Sequence, residues 1–377
     1  MAIKTYKVLG LMSGSSLDGL DLACCQFEVE KTDSHTLQVH DWSILTAETI
    51  GFSESWQARL SQLPTQNALN FAKTHTYLGH YWGDMVNDFL QRHQIEPDFI
   101  AAHGHTIFHD PIGRMTIQIG DGSAMAAVTG YPVITNFRHQ DIAIDGQGAP
   151  IAPIVDKYLL AGHDFYLNLG GIANITTVLP NKIIAFDICP ANQLLNALAH
   201  RLNLPYDEGG QIAASGAVND TLLKTINRAD FYRISYPKSL DNAWSRTAIL
   251  SQLADDPAEI PNQLATFVEH IAYQIAFAIK QVIRKEKVEK KQLSLLATGG
   301  GAFNTFLVER LQHYGQQVGD IKVVIPDSDI IQFKEAALMA WMGVMRVEHV
   351  PNVLKSVTGA KRDTVNGAIH QGWRKQI

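Results

Sequence analysis

The stretch GLMSGSSLDGLD, Gly10 to Asp21, interrupts apolar sequence with a dense polar turn. The residues before it, Tyr6 to Leu9, and those after it, Leu22 to Cys25, are mostly apolar. Short apolar runs on both sides of glycine, serine and aspartate are typical of two strands joined by a tight turn. The stretch therefore predicts a strand, a polar turn and a second strand at the start of the fold.

The composition of this turn suits a phosphate ligand. Glycines such as Gly14 and Gly19 let a ligand approach the backbone, and the amides and the hydroxyls of Ser13, Ser15 and Ser16 can donate hydrogen bonds to phosphate oxygens. Asp18 and Asp21 can hold a magnesium ion or its water ligands. An ordinary hairpin turn has the same composition, so these residues alone leave both interpretations open.

The same pattern returns in the second half of the chain. Asp164 to Ile188 again alternates apolar runs with a turn that contains Gly170 and Gly171, and a later apolar run ends in Gly299, Gly300 and Gly301. This recurrence predicts two copies of one β-β-β-α-β-type unit with a cleft between them. Glycine and proline cluster at 145–153 and mark the linker. We expect an N-terminal lobe over 1–145, completed by 350–377, and a C-terminal lobe over 146–349.

Composition excludes several classes of function. The net charge is −6 and the basic residues are scattered, which argues against a nucleic-acid partner. No apolar run is long enough to cross a bilayer, and no charged-then-apolar leader is present. The three cysteines form no disulfide-type pattern. These features predict a cytoplasmic protein without a membrane partner, and a homodimer is the default expectation.

Three further residues are candidates for chemistry. Asp187 follows an apolar strand, at the place where α/β sheets position reactive groups, and this suits a general base. Its alternative role is to cap the helix that follows. Glu335 lies beside a helical apolar stripe, and an isolated acid there is commonly exposed. Arg138 is either an anchor for a sugar or phosphate or a member of a structural ion pair.

The segment HGHTIFHD places His103, His105 and His109 within seven residues. Alternation along a strand would put His103 and His105 on one face, which is compatible with a metal site. No partner ligands occur at a recognisable spacing elsewhere. The histidines are therefore candidates for substrate hydrogen bonding or for a satisfied structural role, with a metal site as the weaker alternative.

Taken together, these segments resemble the anhydro-N-acetylmuramic acid kinases, a family of the actin-like, sugar-kinase superfamily. The opening stretch is similar to the family signature G-x-M-S-G-T-S-x-D-G-x-D, with Ser15 at the usual threonine. The likeness covers nearly the whole chain through AHGHTIFH, IQIGDG, NFRHQDIAIDGQGAP, NLGGIANIT, FDICPAN, ATGGGAFN, KEAALMAW and SVTGAKRD.

The resemblance implies an α/β fold of two actin-like, ribonuclease H-like lobes with the active-site cleft between them. It implies an enzyme of peptidoglycan recycling that uses ATP and Mg²⁺ to open the 1,6-anhydro bridge of the sugar and phosphorylate its 6-oxygen. Asp187 and Glu335 match catalytic positions, and Arg138, His103 and Asn192 match substrate-binding positions. The implied cofactor-binding residues are Gly14, Ser15, Ser16, Leu17, Asp18, Gly19, Leu20 and Asp21, with Asp18 and Asp21 also serving the metal. The recurring glycine turns add Gly170, Gly171, Gly299, Gly300 and Gly301 as further candidates for the nucleotide.

The chain departs from the family pattern beside Asp187, where the usual DTGPGN is DICPAN and two glycines are replaced. PKSLDNAW lacks the glycine-arginine-glutamate that often follows this position. Two alternatives stay open: a kinase for another anhydro or ordinary sugar, and a non-catalytic sugar-sensing protein on the actin-like fold. No helix-turn-helix segment is left over in the chain to support the sensor.

Overall fold

The computed structural model describes residues 2–14, 17–33, 36–180, 182–240, 244, 249 and 259–377. The chain divides into two compact units. Unit 1 comprises Met1–Ala161 and Phe333–Ile377, and unit 2 comprises Gly162–Gln332. Within the described residues, no helix combines the length and apolar character that a bilayer span requires.

Unit 1 is built on a six-stranded sheet in the order β13-β7-β4-β1-β2-β3. β1, β2 and β3 pair antiparallel, and β4 and β7 continue the sheet parallel to β1. A two-stranded ribbon, β5 with β6, lies outside this sheet. The strands are β1 Lys4–Met12, β2 Gly19–Lys31, β3 Leu37–Gly51, β4 Phe99–Ala102, β5 His105–Asp110, β6 Met115–Ile119, β7 Val133–Thr135 and β13 Ala368–His370.

Unit 2 repeats this topology in a five-stranded sheet of order β10-β9-β8-β11-β12. Its first three strands pair antiparallel, and β11 and β12 are parallel to β8. The shared order confirms the predicted duplication and the α/β fold of two ribonuclease H-like lobes. The strands are β8 Phe165–Leu169, β9 Ile172–Leu179, β10 Lys182–Pro190, β11 Leu293–Thr298 and β12 Ile321–Val324.

Helices connect these strands and cover the sheets. The described helices are Glu54–Gln62, Ala68–His93, Gly122–Thr129, His139–Ala143, Pro153–Tyr158, Asn192–His200, Gln211–Ser215, Asp220–Ile226, Ile260–Glu286, Thr305–Gly319, Ser328–Val347 and Lys355–Thr358. Short 3₁₀ turns occupy Leu63–Thr65, Glu208–Gly210, Asp230–Arg233 and Gly300–Phe303.

The boundaries of unit 1 differ from the predicted 1–145 and 350–377, because two further segments pack on its sheet. The Trp42 indole on β3 donates to the Leu159 carbonyl at 2.7 Å. The Tyr158 ring lies 5.6 Å from the Trp341 ring, centroid to centroid. The Gly/Pro cluster at 145–153 is therefore an internal loop of unit 1 rather than a linker, and most of helix Ser328–Val347 belongs to this unit.

Gly10 on β1 allows that helix to approach the sheet. A Cβ at Gly10 would lie 1.9 Å from the Ala336 carbonyl oxygen, so no other residue fits there without moving the backbone. The neighbouring Leu9 and Leu11 are fully buried in the core. The first glycine of the opening stretch is thus required by packing, and it is not available to a ligand.

Candidate active site

The β1–β2 turn contains both structural and available groups. A Cβ at Gly19 would lie 2.4 Å from the Ile50 carbonyl oxygen, and the Leu20 side chain is fully buried, so packing requires both residues. Gly14 closes the turn by accepting from the Leu17 amide at 3.4 Å, and Leu17 has a left-handed φ of 61°. The predictions for Ser15 and Ser16 lie outside the described residues.

Asp18 and Asp21 form a pair of neighbouring carboxylates. Asp18 is exposed, and Oδ1 of Asp21 accepts a hydrogen bond of 2.6 Å from the Thr49 hydroxyl. Burial raises the pKa of Asp21, the Thr49 bond opposes this, and the charge of Asp18 raises it further. A cation near both carboxylates would relieve their repulsion. Among the described residues, no group of three or more metal-binding side chains occurs, so these two would hold Mg²⁺ only with phosphate or water ligands.

His103 is buried, and both of its ring nitrogens have partners within unit 1. Arg138 Nε donates to His103 Nε2 at 2.8 Å. Because a guanidinium has no acceptor, Nε2 must be the unprotonated nitrogen, and Nδ1–H donates to the Gly104 carbonyl at 2.8 Å. Burial, with the Arg138 charge second, lowers the pKa of His103 to about 3. His103 is therefore a neutral support for Arg138, without a free nitrogen for a sugar or a metal.

The other two histidines have separate roles. β4 ends at Ala102, and Gly104 turns the chain with φ of 84° before β5 begins, so His103 and His105 do not alternate along one strand as predicted. His105 Nδ1 lies 3.0 Å from the Ser13 hydroxyl, and His109 Nδ1 lies 3.1 Å from the Thr116 hydroxyl. The three histidines do not form a metal cluster in the part of the chain that the structure describes.

Arg138 and Glu335 lie near each other in unit 1. Arg138 follows β7, and one of its terminal nitrogens donates to the Gly148 carbonyl at 2.8 Å. Burial lowers the pKa of the guanidinium, and the charge of Glu335 opposes that change. Glu335 is itself exposed on helix Ser328–Val347. The structure thus brings together two of the residues predicted for the sugar site.

The loop that holds Arg138 depends on Asp141, which the sequence reasoning did not single out. Asp141 is fully buried; its Oδ2 accepts from the Gly148 amide at 2.8 Å, and its Oδ1 accepts from the Thr358 hydroxyl at 2.8 Å. These bonds tie 138–148 to helix Lys355–Thr358. Asp141 and Thr358 each lie in a motif that resembles the family. Because they are 217 positions apart, no local sequence pattern indicates their hydrogen bond.

The glycine turns of unit 2 meet at Asn192. The Asn192 amide side chain donates to the Leu169 carbonyl at 2.9 Å, and its backbone N–H donates to the Gly170 carbonyl at 3.1 Å. A Cβ at Gly301 would lie 2.9 Å from Asn192 Oδ1. Asn192 therefore joins the β8–β9 turn to the turn after β11.

Packing does not explain all of these glycines. A Cβ at Gly171 would meet Gln193 at 3.7 Å, one at Gly300 would meet Asn192 at 3.8 Å, and one at Gly170 would meet nothing closer than 3.4 Å. None of the three has a left-handed φ. Gly299, by contrast, has φ of 80°, and a Cβ there would be 2.6 Å from Asn168 Oδ1. The fold therefore does not require glycine at three of these positions: Gly170, Gly171 and Gly300. The absence of a side chain there leaves the backbone open to a ligand.

Asp187 lies at a β-bulge near the end of β10. Asp187 pairs with Asn174 and Cys189 pairs with Ala173, which leaves Ile188 as the extra residue. Bulges re-aim side chains and are common beside active sites. Oδ2 of Asp187 accepts from the Leu240 amide at 2.9 Å and from the Ser239 hydroxyl at 3.1 Å, and the described residues give Oδ1 no partner. Asp187 does not cap helix Asn192–His200, whose N-cap is Ala191.

Comparison with known proteins identifies the family. The model of the family described as anhydro-N-acetylmuramic acid kinase matches residues 6–372. The chain belongs to this family. Proteins named anhydro-N-acetylmuramic acid kinase are 31% identical in Haemophilus influenzae and 33% identical in Coxiella burnetii; each match covers 97% of this chain and 98% of the relative.

Two solved structures show a distant likeness. The activator of 2-hydroxyisocaproyl-CoA dehydratase from Clostridium difficile with bound ADPNP is 14% identical, with a TM-score of 0.40, over 90% of this chain and 92% of that one. Component A of the Acidaminococcus fermentans (R)-2-hydroxyglutaryl-CoA dehydratase is 13% identical, with a TM-score of 0.41, over 89% and 96%. Likenesses of this size identify neither a function nor a ligand.

The structure accounts for the departure of this chain from the anhydro-N-acetylmuramic acid kinase pattern beside Asp187. Cys189 and Ala191 stand at the two positions where the resemblance leads one to expect glycine, and both are fully buried in the core of unit 2. Ile188 is buried in the same cluster. The added side chains fill the interior, while the carboxylate of Asp187 keeps its partly exposed position on the bulge.

Proposed function

We propose that the chain catalyses the ATP-dependent opening and phosphorylation of 1,6-anhydro-N-acetylmuramic acid to N-acetylmuramic acid 6-phosphate, a reaction of peptidoglycan recycling. The observation that carries this proposal is the family match over residues 6–372, together with relatives of that name that cover 97% of the chain. Because the proposed reaction consumes ATP, we propose a cytoplasmic location, and the free state of Cys24, Cys25 and Cys189 is compatible with a reducing compartment.

The glycines of unit 2 that packing does not explain support a nucleotide site. Gly170, Gly171 and Gly300 leave open space where a side chain would stand, and backbone amides in glycine turns are ordinary donors to phosphate oxygens. Asn192 joins these turns, so we reassign it from the sugar to the support of the nucleotide site. Gly299 and Gly301 shape the turn, because a Cβ at either position would collide with Asn168 or Leu169.

Among the residues of the opening turn that the structure describes, the available groups in unit 1 are Gly14 and the carboxylates of Asp18 and Asp21. We assign the two carboxylates to Mg²⁺, held together with phosphate and water oxygens. When bound, the ion neutralises charge that develops on the transferred phosphoryl group. Gly19 and Leu20 contribute only through the packing that shapes the turn.

Asp187 acts as the general base of the reaction. Its Oδ1 takes a proton from a water molecule as the water oxygen bonds to the anomeric carbon of the sugar. The bond between that carbon and the 6-oxygen breaks, and the 6-oxygen forms a bond to the γ-phosphorus of ATP as ADP leaves. The phosphoryl group thus replaces the proton that a glycoside hydrolase would deliver to the leaving oxygen from a second acid.

Arg138 and Glu335 bind the sugar in this proposal. Arg138 is fixed by His103 Nε2 and the Gly148 carbonyl, and it keeps N–H donors beyond these two bonds for an oxygen of the substrate. Glu335 is the second catalytic carboxylate, and its exposure on its helix leaves its oxygens available to sugar hydroxyls. His103 acts on the sugar only through Arg138. We also expect a homodimer, which sedimentation velocity would test.

The test of this function is mass spectrometry of the product formed from 1,6-anhydro-N-acetylmuramic acid and magnesium-ATP in H₂¹⁸O. We expect the sugar to gain one phosphoryl group and one labelled oxygen. Phosphorylation without the label, on an ordinary sugar alone, would make the chain a plain sugar kinase. Absence of any product with either class of sugar would contradict the kinase assignment.

The variant Asp187→Asn tests the base. It removes the proton acceptor and keeps the size of the side chain, so we expect turnover to fall by roughly 10³-fold or more, with nucleotide affinity and thermal stability unchanged. Steady-state kinetics and calorimetric titration with nucleotide measure the two effects. Turnover within tenfold of the wild type would remove Asp187 from the role of base.

A further inference from the structure

The segment 236–240, here called the clamp, meets Asp187 from outside its own sheet. Its last four residues begin the motif PKSLDNAW, which departs from the family pattern and has no part in the proposed reaction. The Asp187 amide donates to the Lys238 carbonyl at 3.1 Å. In return, the Leu240 amide and the Ser239 hydroxyl donate to Asp187 Oδ2 at 2.9 and 3.1 Å. Both the backbone and the side chain of Asp187 are therefore held by this segment.

The clamp is itself anchored in unit 2. The Tyr236 ring stacks on Phe186, the residue before Asp187, with 4.9 Å between centroids and 13° between planes. The Tyr236 hydroxyl donates to Glu286 at 2.9 Å. Lys238 Nζ donates to the Phe231 carbonyl at 3.1 Å and lies 4.4 Å from the centroid of the Phe231 ring. These contacts fix the part of the clamp that precedes Ser239, and Leu240 after it is buried in the core of unit 2.

The bonds to Asp187 fall on one oxygen. Oδ2 receives two donors, and the described residues provide none for Oδ1. Two hydrogen bonds to one oxygen restrict the rotation of a carboxylate and occupy that oxygen. The two donors on Oδ2 therefore fix the orientation of the Asp187 carboxylate and leave Oδ1 as the oxygen that faces a reactant.

We infer that Ser239 is a positioning residue for Asp187: its hydroxyl, with the Leu240 amide, fixes the rotation of the carboxylate and selects Oδ1 as the base. This inference rests on the proposed function for the meaning of the base. The charged group nearest to this contact along the clamp is Lys238, whose ammonium is directed to the Phe231 carbonyl rather than to the carboxylate. Ser239 itself is exposed, so its hydroxyl is not needed to fill the core.

The variant Ser239→Ala tests the inference, because it deletes one donor to Oδ2 and little else. We expect kcat to fall roughly tenfold, the size of one hydrogen bond to a charged group, with KM for the sugar within about twofold. The loss falls on kcat because the hydroxyl positions the base and does not bind the sugar. Ser239→Thr, which keeps a hydroxyl, restores the rate.

Ser235→Ala is the matched control. Ser235 lies one residue outside the clamp, and its hydroxyl accepts from Lys285 at 3.1 Å without a bond to Asp187. We expect wild-type kinetics. A wild-type kcat in Ser239→Ala would overturn the inference. So would a lower kcat that Ser239→Thr does not restore, because that result means a merely structural role.

A measurement without turnover separates this inference from the proposed function. The ¹³C resonance of the Asp187 carboxyl group, assigned by comparison with Asp187→Asn, is recorded at the same pH in the wild type and in Ser239→Ala. A displaced resonance in Ser239→Ala supports the clamp even if the wild type phosphorylates no anhydro sugar. An unchanged resonance overturns the clamp even if the enzyme is active.

Discussion

The glycine turns of the two units share a topology but differ in why they contain glycine. In unit 1, Gly10 and Gly19 lie where a Cβ would come within 2.4 Å of a carbonyl oxygen. In unit 2, Gly170 and Gly171 have space for a Cβ and ordinary φ values. Packing explains glycine at the first pair. It does not explain glycine at the second pair, where we propose that a ligand approaches the backbone.

Gly10→Ala is the change that tests the packing side of this comparison most severely. The new Cβ would lie 1.9 Å from the Ala336 carbonyl oxygen, so β1 and helix Ser328–Val347 must separate. We expect a loss of about 3 kcal/mol or more in the free energy of unfolding, at or beyond the upper end for overpacked cores. Thermal unfolding and soluble yield measure this loss. A stability equal to the wild type would contradict the packing explanation.

Gly171→Ala tests the ligand side. The added methyl group contacts only Gln193, at 3.7 Å, so we expect stability to be unchanged or higher by about 0.5 kcal/mol. If phosphate oxygens approach this backbone, affinity for magnesium-ATP falls by roughly tenfold or more, because the methyl group occupies their place. Isothermal titration calorimetry measures the affinity.

Gly319→Ala is the control for that variant. Gly319 also lies in unit 2 with space for a Cβ, which would meet Ile283 and Leu293 at 3.5 Å, but it ends helix Thr305–Gly319 away from the glycine turns. We expect its nucleotide affinity to equal that of the wild type. Equal affinities in Gly171→Ala and in the wild type would remove the β8–β9 turn from the nucleotide site.

The two units also each contain a buried histidine, and the two histidines differ in the charge of their partners. His103 in unit 1 contacts the Arg138 cation, whereas His270 in unit 2 contacts the neutral Tyr232 hydroxyl and Asn227 amide at 2.9 and 2.6 Å. Burial lowers the pKa of each imidazole to about 3. Between pH 6.5 and 3 the unfolded chain therefore binds protons that the folded chain does not. Their contribution to stability is fully present above pH 6.5 and decreases as the pH falls towards 3.

The variant His103→Gln tests this pH dependence of stability and has the smallest expected effect. Removing one such group makes the loss of stability between pH 7 and pH 5.5 smaller by about 1 kcal/mol than in the wild type. Urea unfolding followed by tryptophan fluorescence at the two pH values measures the difference. Exposed His80→Gln serves as the control and keeps the wild-type dependence. An identical dependence in His103→Gln would mean that His103 titrates normally in the folded protein.

Much of the fold was predictable because local pattern carries it. The strand, turn and strand around Gly10 to Asp21 and its recurrence after Asp164 were confirmed as β1–β2 and β8–β9. The unit boundaries were less predictable, since the Gly/Pro cluster at 145–153 has the composition of a linker. Its assignment to unit 1 depends on contacts of Trp42 and Trp341, which are distant in sequence.

The candidate site shows the same division. The sequence pointed to Arg138, His103 and Asp187 by residue type and resemblance. It did not reveal that Arg138 fixes the tautomer of His103, that Asn192 joins two glycine turns, or that Ser239 holds Asp187. Each of these relations joins residues 23 to 52 positions apart, so no local periodicity records it.

The amino-acid sequence by itself determined the α/β class, the duplicated unit and the family, because apolar periodicity, glycine turns and motif order are properties of neighbouring residues. Only the tertiary structure decided which glycines are required by packing and which histidine nitrogen is protonated. It also decided which oxygen of Asp187 is left without a donor among the described residues. These properties depend on the atoms that surround a group, and the fold brings those atoms from distant parts of the chain.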